Sequence, residues 1–212
     1  SLQAGRLPHA WRISGPRGIG KATLAYRFAR FLLSGGGEGG LFCGPSDLAV
    51  PEDSNVFRRV AVLSHPDLRA VERSVNERTG KLRAEIVVDD VRDLSHFLRL
   101  TPSDGGWRIA IVDAADEMNR NAANALLKIL EEPPYNSVLL VVSHAPGRLL
   151  PTIRSRCRKL MLKPLPDEDT NALLAELLPH LAAEERQALA SLADGSPGRA
   201  IELAEAGSLD LY

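Results

Sequence analysis

Cysteine is nearly missing from this chain: Cys43 and Cys157 are the two in 212 residues, and they lie far apart. Two such residues cannot build a disulfide framework or a metal cluster, and their scarcity suits a reducing, cytoplasmic compartment. An excess of charge of either sign is missing too. With 26 Lys and Arg against 27 Asp and Glu, no global field draws the protein to nucleic acid, so any such contact must be local. No apolar run approaches the roughly 18 to 20 residues of a membrane span. The start, Ser1-Leu2-Gln3, lacks a charged-then-apolar signal pattern. Repeats are absent, and low complexity is confined to one glycine run. What remains is a length and a 44% hydrophobic content that can bury the core of one large domain, or of one domain with a small appendage.

Short apolar runs alternate with helical patterns, which predicts an α/β domain of parallel strands and crossover helices. Strands are expected at Trp11 to Ser14, Asp67 to Glu72, Ile109 to Asp113, Val138 to Ser143 and Arg158 to Leu162, enough for one five-stranded sheet. Helices are expected at Lys21 to Leu33, at Val88 to Leu100 with Asp89 and Asp90 favouring its amino end, and at Arg120 to Glu132 before Pro133-Pro134. Gly35 to Gly40 reads as a flexible break. Cys43 to His65 reads as a loop or irregular helix, and Arg73 to Arg83 as a polar turn or hairpin tip. After Lys163-Pro164-Leu165-Pro166 the character changes to short Ala/Leu-rich helices at Asp167 to Leu178, Ala183 to Ala193 and Pro197 to Ala206. The division predicted is an α/β domain over 1–165 and a small helical domain over 166–212. Asp194-Gly195-Ser196-Pro197 is the turn that starts the last helix, with Pro near its first position, where a missing N–H costs little.

Gly15-Pro16-Arg17-Gly18-Ile19-Gly20-Lys21 has the GxxxxGK spacing of a P-loop, between a predicted strand and a predicted helix. Successive backbone N–H groups and a helix start make an anion cradle there, with the lysine reaching the outer phosphates. The next residue is Ala22, where Ser or Thr would hold Mg²⁺; Thr23 is one position late and should point elsewhere. Asp113, at the end of an apolar run, supplies a metal-side carboxylate, yet Ala114 follows where an acid would activate water. Asp116 and Glu117 fall in the turn beyond and are not expected to replace that base. ATP is therefore the candidate cofactor, held through Gly15, Gly18, Gly20, Lys21 and Asp113, in a site equipped for binding better than for hydrolysis. Whether it still takes ATP stays open.

The segment from Asn124 to Pro134, Asn-Ala-Leu-Leu-Lys-Ile-Leu-Glu-Glu-Pro-Pro, followed by Ser155-Arg156-Cys157, resembles the AAA+ clamp-loader ATPases. Within them it resembles the bacterial DNA polymerase III gamma/tau and delta-prime subunits and the small subunits of eukaryotic replication factor C. Ala22 and Ala114 favour the delta-prime branch, whose members commonly have degraded nucleotide sites. The resemblance runs from His9-Ala10 to Gly195-Ser196-Pro197-Gly198-Arg199. It implies a P-loop AAA+ domain with a helical lid, and a longer protein whose carboxy-terminal collar, beyond this chain, joins a hetero-pentamer.

The resemblance also assigns roles. Arg156 matches the arginine finger presented to a neighbour's ATP, and Arg199 the sensor-2 arginine at the start of a lid helix, which would touch phosphate in its own subunit. His144 stands where relatives carry a sensor-1 Asn or Thr and is given no role. Delta-prime proteins often hold a four-cysteine zinc module after the first helix, but only Cys43 falls in that region, so no zinc is expected. Ser155-Arg156-Cys157 reads as a turn, and Cys157 in it is expected to be packed rather than reactive. Arg92, in the first turn of the Val88 helix, falls where clamp loaders approach template phosphate, and the free N–H groups of a helix start favour phosphate as well. The partners implied are gamma/tau and delta subunits, the sliding clamp and primer-template DNA. An active gamma/tau-type ATPase is the alternative, and it needs a metal ligand and a base that the sequence does not supply.

Overall fold

The computed structural model describes residues 7–35, 48–103 and 106–207. They fall into two compact units, one of Ser1–Ile13 with Ala22–Leu160 and one of Ser14–Lys21 with Met161–Tyr212.

The first unit is organised by five strands: β1 (Ala10–Ser14), β2 (Leu68–Val71), β3 (Arg108–Val112), β4 (Ser137–Ser143) and β5 (Arg158–Met161). They form one parallel sheet in the order β2-β3-β4-β1-β5. Every residue of β3 and β4 is buried. That is why both read in the sequence as unbroken apolar runs: strands covered on both faces have no solvent side to make polar. The register sets Leu68 beside Ile109 and Ile109 beside Val138, so the strands enter the sheet level with one another. Asp67 fixes the entry end. Its carboxylate accepts from Ser103 N–H and Oγ and pairs with Arg108 at 3.4 Å, both side chains almost wholly buried, and the Arg108 guanidinium also lies 4.7 Å over the Phe97 ring.

The helices are α1 (Lys21–Leu33), α2 (Asn55–Ala61), α3 (Val88–Arg99), α4 (Arg120–Glu131) and α5 (Pro151–Arg156). Val91, Leu94 and Leu98 of α3 and Ala122, Leu126, Ile129 and Leu130 of α4 join Ala10, Val112, Leu139 and Val141 in one apolar core. Local caps set the helix starts. Asn119 accepts from Ala122 N–H at 2.9 Å, and Asp90 accepts from Val87 N–H at 3.0 Å. Residues 73–83 form a hairpin tip closed by the antiparallel bridge of Val75 with Leu82, as the sequence suggests.

Two segments differ from the expectation. The described part of the weak stretch, 48–65, holds a regular helix, α2, because Ser54 accepts from Phe57 N–H and Arg30 of α1 lies 4.3 Å over the Phe57 ring. Ser155-Arg156 is not a turn but the end of α5, which starts at Pro151 because proline at the first helical position forfeits no helical bond. Cys43 and Gly36 to Gly40 lie outside the described residues.

The second unit packs α6 (Asp167–Leu177), α7 (Ala183–Leu192) and α8 (Pro197–Glu205) around Leu174, Leu189, Ala190, Ala193 and Ala200. Ser196 caps α8 and Pro197 opens it, the arrangement the sequence predicts. No described helix is long and apolar enough to cross a membrane.

Candidate functional site

The P-loop residues belong to the same compact unit as α8, and the contacts show why. Ser196 Oγ donates to the Arg17 carbonyl at 2.8 Å, and Gly198 N–H donates to the Gly18 carbonyl at 2.8 Å. The two backbones touch. A Cβ on Gly18 would stand 2.9 Å from Arg199 N, and one on Gly198 would stand 2.7 Å from Gly18 Cα, distances that real Cβ atoms do not show. Gly18 also has φ +72°, a conformation open to glycine and strained for other residues. Lys21 is 3% exposed and turns its Nζ onto the loop itself, donating to the Gly15 carbonyl at 2.9 Å and to the Pro16 carbonyl. Arg199 is exposed and pairs with Asp194 at 2.5 Å.

The phosphates of a nucleotide fit this loop. A Cβ at Gly20 would meet nothing within 4 Å, so the backbone there faces open space, and Lys21 begins α1 where free N–H groups favour an anion. Ala22 and Ala114 offer methyl groups at the two positions that would bear a metal hydroxyl and a base, and Ala114 is 4% exposed. Thr23, one position late, is exposed and lines a cavity of about 270 Å³ with Tyr26, Arg30, Val60, Ala61 and Leu63.

Asp113 belongs to the first unit. It follows β3, half-buried, with its N–H on the Val71 carbonyl at 2.9 Å. Burial, then the carboxylates of Glu72 and Asp113, push the Tyr26 hydroxyl up to about 12, so this phenol stays protonated at any physiological pH. The two nearby acids are engaged elsewhere. Asp116 accepts from His144 N–H at 2.9 Å and Ala145 N–H at 3.3 Å, and Glu117 pairs with Arg73 at 2.9 Å.

Arg156 is the last residue of α5, with its side chain 37% exposed. Its Nη2 lies 3.0 Å from Glu131 Oε1 at the end of α4, and its Nη1 donates to the Thr152 carbonyl at 3.1 Å. Cys157, next in the chain, is buried, and burial pushes its thiol up to about 11. A thiol so shielded is a poor nucleophile. Arg92 is the fifth residue of α3, one turn in from the free N–H groups, so the helix-start argument does not reach it. It pairs with Asp89 at 3.1 Å, both side chains mostly exposed.

The structure thus gathers Gly15, Gly18, Gly20, Lys21 and Arg199 in one unit, and Asp113, Arg92 and Arg156 in the other. Sequence reasoning missed Glu131, Ser196 and Gly198. Glu131 sat in a run read as the end of a helix and as part of the family resemblance, with no role given to it. Ser196 and Gly198 sat in a turn whose small residues were a usable sign of close backbone approach. Among the described residues no group of three or more His, Cys, Asp or Glu side chains is arranged to hold a metal.

The profile of the family described as DNA polymerase III, delta subunit, matches residues 1–166, and the chain belongs to that family. The delta′ subunit of DNA polymerase III from Pseudomonas aeruginosa is 40% identical over 190 residues, 89% of this chain and 53% of that protein. The gamma/tau subunit from Mycobacterium bovis is 34% identical over 177 residues, 84% of this chain and 28% of that protein. A solved DNA polymerase III gamma-subunit-related protein from Thermotoga maritima superposes with a TM-score of 0.55 at 22% identity, covering 91% of this chain and 55% of that one, a likeness of fold. The chain spans about half the length of the delta′ relative it matches.

Proposed function

We propose that this member of the DNA polymerase III delta subunit family is the delta-prime-type subunit of a clamp loader: it lends an arginine finger to a neighbouring ATPase, hydrolyses no ATP itself, and helps place a sliding clamp on primed DNA. One observation carries the reading. Ala22 follows an intact GxxxxGK loop and Ala114 follows Asp113 after β3, at the places where the pattern calls for a hydroxyl and an acid, while Arg156 stands exposed at the end of α5. A guanidinium there would bind the γ-phosphate held by the neighbour and stabilise the charge that develops on it as the bond to the leaving phosphate breaks. The neighbour supplies the metal and the water.

In this reading residues 1–165 are the P-loop domain and 166–212 the lid, and the partners are gamma/tau and delta subunits in a cytoplasmic hetero-pentamer. ATP bound in cis rests on the loop N–H groups, Lys21 and Arg199, and serves structure rather than turnover. Arg92 touches template phosphate, and Arg92→Ala then lowers the salt slope of DNA binding by about one; an unchanged slope removes that contact. The finger is tested in the reconstituted loader built with the full-length protein. Arg156→Ala lowers DNA-stimulated ATPase at the site it serves, by up to the order of 10³ that such fingers contribute, with assembly intact. Unaltered turnover refutes it.

The gamma/tau relative keeps an active ATPase as the second reading. That reading predicts ATP turnover by this chain alone, abolished by Lys21→Ala. Ours predicts none.

A further inference from the structure

Five cations, Arg148, Arg154, Arg156, Arg158 and Lys159, stand in the twelve residues 148–159, which hold no acid. Among the described residues the structure gives an ion pair to Arg156 and to none of the other four. Its partner, Glu131, closes α4, an end where the helix dipole disfavours a carboxylate. The pair is also exposed, 37% and 50% for the two side chains, and exposed pairs add little to folding. Neither the helix dipole nor an exposed pair accounts for an acid here. The geometry of the guanidinium offers another account. Glu131 pairs with the guanidinium through Nη2 at 3.0 Å, and the Thr152 carbonyl takes an N–H on Nη1. Arginine has five N–H donors in a rigid plane, so it can keep both partners and still offer donors to a phosphate.

We propose that Glu131 is a positioning residue for Arg156: with the Thr152 carbonyl it holds the guanidinium plane in one orientation and leaves its remaining donors free for the neighbour's γ-phosphate. This rests on the reading of Arg156 as a finger. It explains why Arg156, and not Arg154 two residues earlier on the same short helix, takes that role. Without Glu131 the side chain keeps its charge and reach but must be ordered at each turnover. The expected loss is the cost of fixing one flexible side chain, about 3- to 10-fold in rate.

The test uses the loader reconstituted with the full-length protein, comparing wild type, Glu131→Ala, Glu131→Gln, Arg156→Ala and the double variant Glu131→Ala/Arg156→Ala. Glu131→Ala lowers kcat of the DNA-stimulated ATPase about 3- to 10-fold with KM for ATP unchanged within about twofold. Glu131→Gln, which keeps an acceptor oxygen, recovers most of that loss. The double variant is no slower than Arg156→Ala, because Glu131 acts only through Arg156. Full activity in Glu131→Ala, a loss carried by KM, or a further loss in the double variant overturns the positioning role while leaving the finger. Full activity in Arg156→Ala overturns the finger, and the positioning role with it. A melting temperature measured for each variant separates a lost fold from a lost orientation.

Discussion

The loop at Gly15–Lys21 and the end of α5 each carry a cation suited to phosphate, in opposite circumstances. Lys21 is 3% exposed and spends its donors on the Gly15 and Pro16 carbonyls, while the carbonyls of Arg17 and Gly18 take Ser196 and Gly198. Arg156 is exposed at 37% of its side chain, paired with Glu131 and donating to the Thr152 carbonyl. One cation is turned inward onto its own loop, and the other stands at the surface. The difference teaches that retention of a motif and retention of its chemistry are separate matters. Gly18 of this loop is explained by how closely the backbone of Gly198 and Arg199 packs on it, whether or not a nucleotide ever binds.

The sharpest way to break this comparison is Arg156→Ala, which removes the outward-facing group and is expected to have the largest effect, up to the order of 10³ in the rate of the site it serves. Next comes Gly198→Val. A side chain there meets the Gly18 backbone, so the variant loses about 1 to 3 kcal/mol, read as a lower denaturation midpoint, and amide exchange accelerates at residues 15–21 ahead of β3 and β4. Exchange unchanged at the loop would mean that α8 does not hold it. Alkaline pH probes both packed groups of the first unit. The Cys157 thiol, raised from 9.0 to about 11, and the Tyr26 hydroxyl, raised from 10.0 to about 12, favour the protonated form in the folded state. Their contribution to stability is complete below pH 9 and is lost as pH rises through 11 and 12, a decline that pH-dependent chemical denaturation should show. Cys157→Ser removes the lower part of that window. Smallest of all is Lys21→Ala, for which the account predicts unchanged turnover by the assembled loader.

Much of this was legible in the chain itself. Strands β3 and β4 announce themselves because burial on both faces forbids polar residues, and α4 because its apolar positions repeat at helical spacing up to Pro133. Helix α2 was not legible: seven residues carry too little periodicity, and what sets it is a cap at Ser54 together with the Arg30–Phe57 contact. Helix α5 was hidden by Pro151, which looks like a breaker until it is seen to open the helix. The positions of the P-loop and of Arg156 were legible as motifs. Their states were not, because Gly18 meets Gly198 across 180 positions of sequence and Glu131 meets Arg156 across 25, and single-sequence patterns do not report contacts at those separations.

The central claim is that this chain's phosphate chemistry acts outward, on a neighbour, and not in its own loop. It is tested most directly by pre-steady-state ATP turnover in the loader reconstituted with the full-length protein, carrying Lys21→Ala or Arg156→Ala in this subunit alone. The account predicts a wild-type burst with Lys21→Ala and a slowed or missing phase with Arg156→Ala. The reverse pattern, with the lysine variant slow and the arginine variant normal, would contradict it.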